Sequence, residues 1–69
     1  MNNYIKGNTY IFKYNHNKPI KGKVIDLTET TIQIEWESNN KVRYTLSEFQ
    51  YYQILENLGG NGSKQLLFG

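Results

Sequence analysis

The first candidates for acid–base chemistry in this 69-residue chain are its one histidine, His16, and the glutamates Glu35 and Glu37, which share one face of a predicted strand. A histidine that activates a nucleophilic serine needs a fixed carboxylate partner, and His16 lies in the polar stretch NHNKP (15–19) without one. Glu35 and Glu37 alternate along one face of a predicted strand, where cations of the next strand face them. We expect them to form solvated cross-strand ion pairs. The chain is therefore predicted to have no catalytic residues and not to be an enzyme.

The composition of the chain argues against a metal or cofactor site. The chain has no cysteine and one histidine, which excludes disulfides, thiol nucleophiles, Cys-based zinc sites and His-rich metal sites. Neither a phosphate-binding loop nor a dinucleotide fingerprint occurs in the sequence. We therefore expect no metal and no cofactor.

The segment KYNHNKPIKGK (13–23) is the first candidate for binding, because it combines asparagines and flanking aromatic residues with four lysines, Lys13, Lys18, Lys21 and Lys23. Residues 1–25 hold five lysines and no acidic residue, whereas residues 26–69 hold three cations and six acidic residues. Lysines beside aromatic rings are typical of surfaces that track phosphates and stack on bases. The competing interpretation is that Lys21 and Lys23 lie on the outer face of a strand. Nucleic-acid binding is therefore the alternative function.

The second candidate is the C-terminal stretch, in which GGNGS (59–63) has the composition of a flexible linker. Beyond it, KQLLFG (64–69) resembles the peptide by which replication and repair proteins bind the bacterial sliding clamp, although the spacer between the two leucines is missing. The resemblance implies that an apolar pocket of a protein partner takes up four residues, Gln65, Leu66, Leu67 and Phe68. Two other interpretations are open: the tail folds back over the domain, or it exchanges into a second copy.

The elements that position these residues are predicted to be strands. Alternation of apolar and polar residues, with many β-branched and aromatic side chains, predicts strands over residues 8–14, 20–27, 31–37 and 41–46. Gly22 predicts a bend or bulge in the second strand, and SNN (38–40) predicts a hairpin turn.

The third and fourth strands can be aligned so that both faces are satisfied. Pairing Glu37 with Lys41 sets apolar residues opposite each other and Glu35 opposite Arg43. The predicted apolar pairs are Trp36 with Val42, Ile34 with Tyr44, and Ile32 with Leu46. The hairpin is thus predicted to bury tryptophan, isoleucines and tyrosine in the core.

Residues 47–58 allow two interpretations. Ser47 followed by Gln50 matches a capping box, and Phe49, Tyr52 and Leu55 recur at near-helical spacing, which favours a helix. A brief helical turn followed by a fifth strand over YYQILEN (51–57) is the alternative.

The stretches IKGKVIDL, TIQIEW and YTLSEF follow one another in the order and spacing of SH3-like and Tudor-like modules, and the resemblance covers about residues 8–50. It implies a mainly β fold, a small barrel of four or five antiparallel strands with a short C-terminal helix or helical turn. It also implies binding of peptides or nucleic acid without catalysis. Tudor modules hold methylated cations in aromatic cages, for which Tyr10, Tyr14, Trp36 and Tyr44 are candidates. The favoured interpretation places Trp36 and Tyr44 in the core instead.

Together these patterns predict an SH3-like domain over residues 1–58 and a tail over residues 59–69. A domain this small buries little core, so association into a homo-oligomer is one way to gain stability. The first residues, MNNYIKGNTY, hold no apolar stretch of the length a signal peptide or membrane span needs, so we expect a cytoplasmic protein without membrane contact. The leading hypothesis is a protein–protein interaction module in the style of small phage proteins that act on host replication machinery, with the sliding clamp as a candidate partner.

Overall fold

A single antiparallel sheet of five strands forms the structure, a computed structural model that describes residues 4–60. The elements in chain order are β1 (Thr9–Tyr14), β2 (Ile20–Leu27), β3 (Thr31–Trp36), β4 (Lys41–Thr45), α1 (Leu46–Phe49) and β5 (Tyr52–Gly59). The strand order is β4-β3-β2-β1-β5, so β4 and β5 are the two edges and the sheet is not closed between them. The predicted mainly β fold of four or five antiparallel strands with a helical turn is confirmed. The division into a domain and a tail stays a prediction.

The core lies on one face of this sheet and is rich in aromatic rings. Alternate residues of β1, β2 and β3 point into it, and α1 adds one ring, so that the buried set is Tyr10, Phe12, Val24, Ile32, Ile34, Trp36 and Phe49. Phe12 meets Trp36 and Phe49 edge to face, with ring centroids 5.7 and 5.0 Å apart. Such pairs add to the stabilisation from buried area. The predicted burial of Ile32, Ile34 and Trp36 is confirmed.

The predicted register of the β3–β4 hairpin is wrong by two residues. Glu35, not Glu37, lies opposite Lys41, and Ile34 lies opposite Val42. The turn explains the difference: the amide of Asn39 donates to the carbonyl of Trp36 (2.7 Å), and Asn39 has a φ of 73°. This is a three-residue loop over residues 37–39 with its last residue left-handed. The turn was predicted over residues 38–40, but the loop begins one residue earlier, at Glu37, so that Asn39 takes the left-handed position.

The new register changes which residues face each other. Ile32 pairs with Tyr44, and Arg43 lies opposite Gln33. Val42 was predicted to be covered by the core but is 36% exposed, because β4 lies at the edge of the sheet.

The preferred helix over residues 47–58 is wrong, and the alternative of a helical turn followed by a fifth strand is confirmed. Helix α1 is one turn long, and its capping box uses Thr45 and Glu48 rather than Ser47 and Gln50. The Thr45 hydroxyl accepts from the Glu48 amide (3.1 Å), while the Glu48 carboxylate accepts from the Thr45 amide (3.2 Å). The chain then pairs with β1 and becomes β5.

No helix in residues 4–60 is long and apolar enough to cross a membrane.

Gly22 allows the aromatic core to approach the backbone of β2. A Cβ atom built on it would stand 2.8 Å from Cγ2 of Ile34 and 2.9 Å from Cε3 of Trp36. The predicted irregularity of β2 lies further along, where the pairing with β3 shifts between Val24 and Asp26. Gly22 is therefore required by packing rather than by a bulge.

Replacing Gly22 by alanine should lower the free energy of unfolding by about 1–2 kcal/mol. The added methyl group overpacks the core, and this cost exceeds the stabilisation gained because alanine has less backbone freedom than glycine in the unfolded chain. Urea denaturation followed by tryptophan fluorescence measures this. Lys21→Ala, at the exposed neighbouring position, is the control and should leave the midpoint nearly unchanged. Equal midpoints for both variants would contradict the packing role of Gly22.

Candidate functional site: a tyrosine ridge between two pockets

Three tyrosines lie side by side where the two edges of the sheet approach each other. Tyr14 ends β1 and pairs with Tyr52 at the start of β5, with ring centroids 4.9 Å apart. Tyr44 projects from β4 and lies 5.9 Å from Tyr52, again between centroids. We call Tyr14, Tyr44 and Tyr52 the tyrosine ridge. Its side chains span the gap between β4 and β5.

The ridge is held from below by the core. Phe49 of α1 stacks on Tyr52 with centroids 4.5 Å apart and contacts Tyr44 at 5.1 Å. The indole Nε1 of Trp36 donates a hydrogen bond to the Tyr44 hydroxyl (3.0 Å). The rings are therefore fixed before any ligand arrives.

A first pocket, the loop pocket, opens on one side of the ridge and has a volume of ≈ 320 Å³. Besides the ridge, it is lined by Trp36 and Ile20 and by polar residues of the loops around it, Asn17, Lys18, Ser38 and Asn40. The β1–β2 loop is shaped by Asn15, whose φ is 52°. The Asn17 amide closes this loop by donating to the carbonyl of Tyr14 (2.9 Å). The loop pocket thus has an aromatic floor and an amide-rich rim.

A second pocket, the edge pocket, lies on the other side of the same three tyrosines and has a volume of ≈ 510 Å³. Its further lining residues are Val42, Arg43, Glu48 and Tyr51. Tyr51 is 65% exposed, although large apolar side chains usually lose most of their contact with water on folding. The edge pocket is therefore an exposed apolar surface beside the edge strand β4.

Both pockets are lined by aromatic rings and polar residues. No group of three or more His, Cys, Asp or Glu that could hold a metal ion occurs in the part of the chain that the structure describes. The rings and polar rims instead provide what binding sites use: apolar contact area and a few hydrogen-bonding groups that orient a ligand.

Of the aromatic-cage candidates, the structure brings together Tyr14, Trp36 and Tyr44. Tyr10 does not join them, because it is 1% exposed and its hydroxyl accepts from the Ile5 amide (2.8 Å) within the core. Tyr52, the centre of the ridge, was missed because its segment was interpreted as a helix. The aromatic pair at residues 51 and 52, after the turn LSEF, was the available signal.

The four candidate lysines do not form one surface. Lys13, Lys21 and Lys23 alternate with buried residues and lie on the outer face of β1 and β2, and Lys18 lines the loop pocket. On that outer face Lys23 lies opposite Glu35 of β3. Positive and negative side chains are thus interspersed there, which weakens the field that attracts phosphates.

The ion pairs differ from those predicted. Within residues 4–60 the salt bridges join Asp26 to Lys6 (3.7 Å) and to Arg43 (3.3 Å), and neither Glu35 nor Glu37 takes part in one. The cause is the hairpin register, which sets Arg43 beside Gln33 (3.1 Å) and within reach of Asp26 on β2.

The sliding-clamp candidates Gln65, Leu66, Leu67 and Phe68 lie outside the described residues. Their role stays a prediction.

Comparison with known proteins yields no relative of this chain. No protein-family model matches it, and neither the curated proteins nor the solved structures contain a match. The resemblance to SH3-like and Tudor-like modules therefore stays a prediction, and the site has to be interpreted from its own geometry.

Burial, followed by the hydrogen bond to Tyr44, raises the pKa of Tyr52 from its usual 10.0 to about 12. Because the folded state favours the protonated phenol, this contribution to stability is full below pH 10.0 and is lost as the pH rises toward about 12. Alkaline titration followed by tyrosinate absorbance should show a late phenol that Tyr52→Phe removes. Tyr51→Phe, at the exposed neighbouring ring, should leave that late transition in place. Because burial also raises the pKa of Tyr4, the quantity to compare is the amplitude of the late transition, and an amplitude that Tyr52→Phe leaves unchanged would contradict the assignment.

Proposed function

We propose that this chain is a non-enzymatic protein-binding module of the cytoplasm that holds an extended segment of a partner protein across the tyrosine ridge. One apolar side chain of the partner enters the loop pocket, and another enters the edge pocket. The polar rims orient the backbone of the bound segment.

The observation that carries this proposal is the pair of pockets that share one wall. Tyr14, Tyr44 and Tyr52 line both of them, so a chain that crosses the ridge contacts the two pockets in succession. Side chains of an extended peptide that point the same way recur at every second residue, about 7 Å apart. This arrangement suits a peptide better than a single compact ligand.

The chemistry of the ridge supports binding of a protein. Tyrosine offers a large apolar ring with few rotatable bonds and a polar end, and tyrosine and tryptophan are enriched among residues that dominate binding energy. The contacts with Phe49 and Trp36 already order these rings. Little conformational entropy is then lost when the partner docks.

The nucleic-acid alternative receives less support from the geometry. Of the four candidate lysines, Lys18 lines the loop pocket, and on the outer face Lys23 lies opposite Glu35. Nucleic-acid binding through Lys13, Lys18, Lys21 and Lys23 stays a prediction.

Replacing Tyr14 by serine should reduce capture of the partner, since an exposed wall of both pockets is removed while the core remains intact. A loss of at least about 1 kcal/mol, or about fivefold in affinity, is expected for an interface anchor. Affinity purification with quantitative mass spectrometry identifies the partner, and titration of that partner measures the change.

Ile5→Ser is the matched control, because Ile5 is 56% exposed and lines neither pocket. Thermal unfolding should show both variants folded. If Tyr14→Ser and Ile5→Ser capture the same proteins in equal amounts, the ridge is not the binding surface.

The C-terminal peptide is a second proposed contact, and the sequence alone supports it. In this proposal Gln65, Leu66, Leu67 and Phe68 bind the sliding clamp of a bacterial host, as in a small phage protein that acts on replication. The apolar residues of the peptide would supply several kcal/mol at ~1.5–3 kcal/mol each, less the cost of ordering the chain.

A synthetic peptide of residues 59–69 tests this contact apart from the domain. Fluorescence anisotropy with a purified bacterial sliding clamp should show saturable binding, weakened at least about tenfold by Leu67→Ala together with Phe68→Ala. Asn61→Ala, in the linker part, serves as the control and should bind like the parent peptide. Absence of saturable binding by the parent peptide would remove the clamp from consideration.

A further inference from the structure

The two edges of the open sheet differ in regularity. β5 pairs with β1 through two register shifts, between Thr9 and Tyr10 and between Ile11 and Phe12. Bulges of this kind twist an edge and prevent another strand from pairing with it. β4 pairs with β3 without interruption from Thr31 opposite Thr45 to Glu35 opposite Lys41. Of the two edges, β4 is the one shaped to receive another strand.

The hydrogen-bonding groups on the free edge of β4 can be assigned from the hairpin. The amide of Trp36 donates to the carbonyl of Asn40 (2.8 Å), and the amide of Leu46 donates to the carbonyl of Thr30 (2.9 Å). Because residues of an antiparallel pair alternate between bonded and non-bonded positions, the backbone groups of Lys41 and Arg43 point away from β3. The next amide on that edge, of Thr45, is used by Glu48 in the capping box.

The side chains of β4 divide between two faces. Val42 lies on the inner face and lines the edge pocket, and Lys41 and Arg43 alternate with it along β4. Part of Arg43 also lines that pocket, while its guanidinium extends over the outer face to Gln33 and Asp26. Arg43 is held by Asp26, whereas Lys41 is exposed and takes part in no ion pair within residues 4–60. On the outer face around β4 both charges are interspersed, but cations outnumber carboxylates four to two: Lys6, Lys23, Lys41 and Arg43 against Asp26 and Glu35.

This charge decides against a second copy of the chain as the occupant. Antiparallel pairing of two β4 strands would set Lys41 and Arg43 of one copy against the same two cations of the other, and like charges directly opposite each other are destabilising. A strand that carries acidic residues on its outer face and aliphatic residues on its inner face matches both sides of β4.

We propose that β4 is a docking edge at which an acidic, extended segment of a partner protein adds a sixth strand to the sheet. Its acidic side chains, at every second position, face Lys41 and Arg43. The aliphatic residues between them pack on Val42 and Tyr51 in the edge pocket. The inference rests on the proposed function of protein binding, and it adds the mode of docking and the chemistry of the partner.

Two synthetic heptapeptides test the edge directly in the isotope-labelled full-length protein. The acidic probe is acetyl-Thr-Glu-Val-Glu-Val-Glu-Thr-amide, and the basic probe has lysine in place of each glutamate. Hydrogen exchange followed by NMR should slow at the amides of Lys41 and Arg43 on addition of the acidic probe. The basic probe should bind at least about fivefold more weakly. The acidic probe forms a favourable cross-strand charge pair with β4, whereas the basic probe forms an unfavourable one.

Lys41→Glu should abolish or reverse the preference for the acidic probe. Lys21→Glu makes the same charge change on β2, away from the edge, and this variant should keep most of the preference for the acidic probe. Equal binding of the two probes, or shifts at Tyr14 and Tyr52 without slowed exchange at Lys41 and Arg43, would overturn the docking edge. Exchange that slows at higher protein concentration without a probe would also overturn it, since a second copy would then occupy β4.

The two proposals can fail separately. Slowed exchange at Lys41 and Arg43 in the Tyr14→Ser protein supports the docking edge even when that variant captures its partner as well as the parent does. If Tyr14→Ser no longer captures the partner while the acidic probe leaves exchange at the β4 amides unchanged, the ridge is supported as the binding surface and the docking edge is overturned.

Discussion

The structure depends on aromatic packing across the gap between β4 and β5. Within residues 4–60 no strand pairing closes the sheet there, so side chains must keep water from its core face. Phe49 does this from the single turn of α1, where it is fully buried between Phe12 and Tyr52. The capping box of Thr45 and Glu48 sets where that turn begins. In a domain that buries little area, losing the Phe49 ring would open the core and remove the support of the ridge together.

The same packing produces the candidate site. Tyrosine rings, rather than a hydrogen-bonded strand, fill the gap between β4 and β5. They fill it incompletely, so part of each ring stays exposed. Tyr14 and Tyr52 therefore have a buried side that contributes to stability and an open side that is free to bind. The exposed apolar surface of this protein follows from how its core is covered, and the proposed binding function makes use of that surface.

The sequence predicted the strands and the core well, because the alternation in TYIFKY and TIQIEW has one interpretation on a half-buried sheet. It failed where neighbouring residues could do the same job. Asn39 and Asn40 both tolerate a positive φ, and a loop over residues 37–39 instead of 38–40 shifts every pair of the hairpin by two. Two capping-box patterns overlap near residues 45–50, and the structure forms the first, between Thr45 and Glu48. For the site, the rings of β1, β3 and β4 were candidates for an aromatic cage, but the favoured interpretation placed Trp36 and Tyr44 in the core. Tyr52 required knowing that β5 returns beside β1.

Trp36, whose indole donates a hydrogen bond to the Tyr44 hydroxyl, is also an intrinsic fluorescent probe of the loop pocket. Trp36 is the single tryptophan of the chain, and it forms part of the floor of the loop pocket while only 7% of its surface meets water. All tryptophan emission therefore comes from the floor of the loop pocket. A ligand bound there would displace solvent or disturb the indole N–H. Occupancy of the pocket can be followed by intrinsic fluorescence in the unlabelled protein, without attaching a dye to so small a domain.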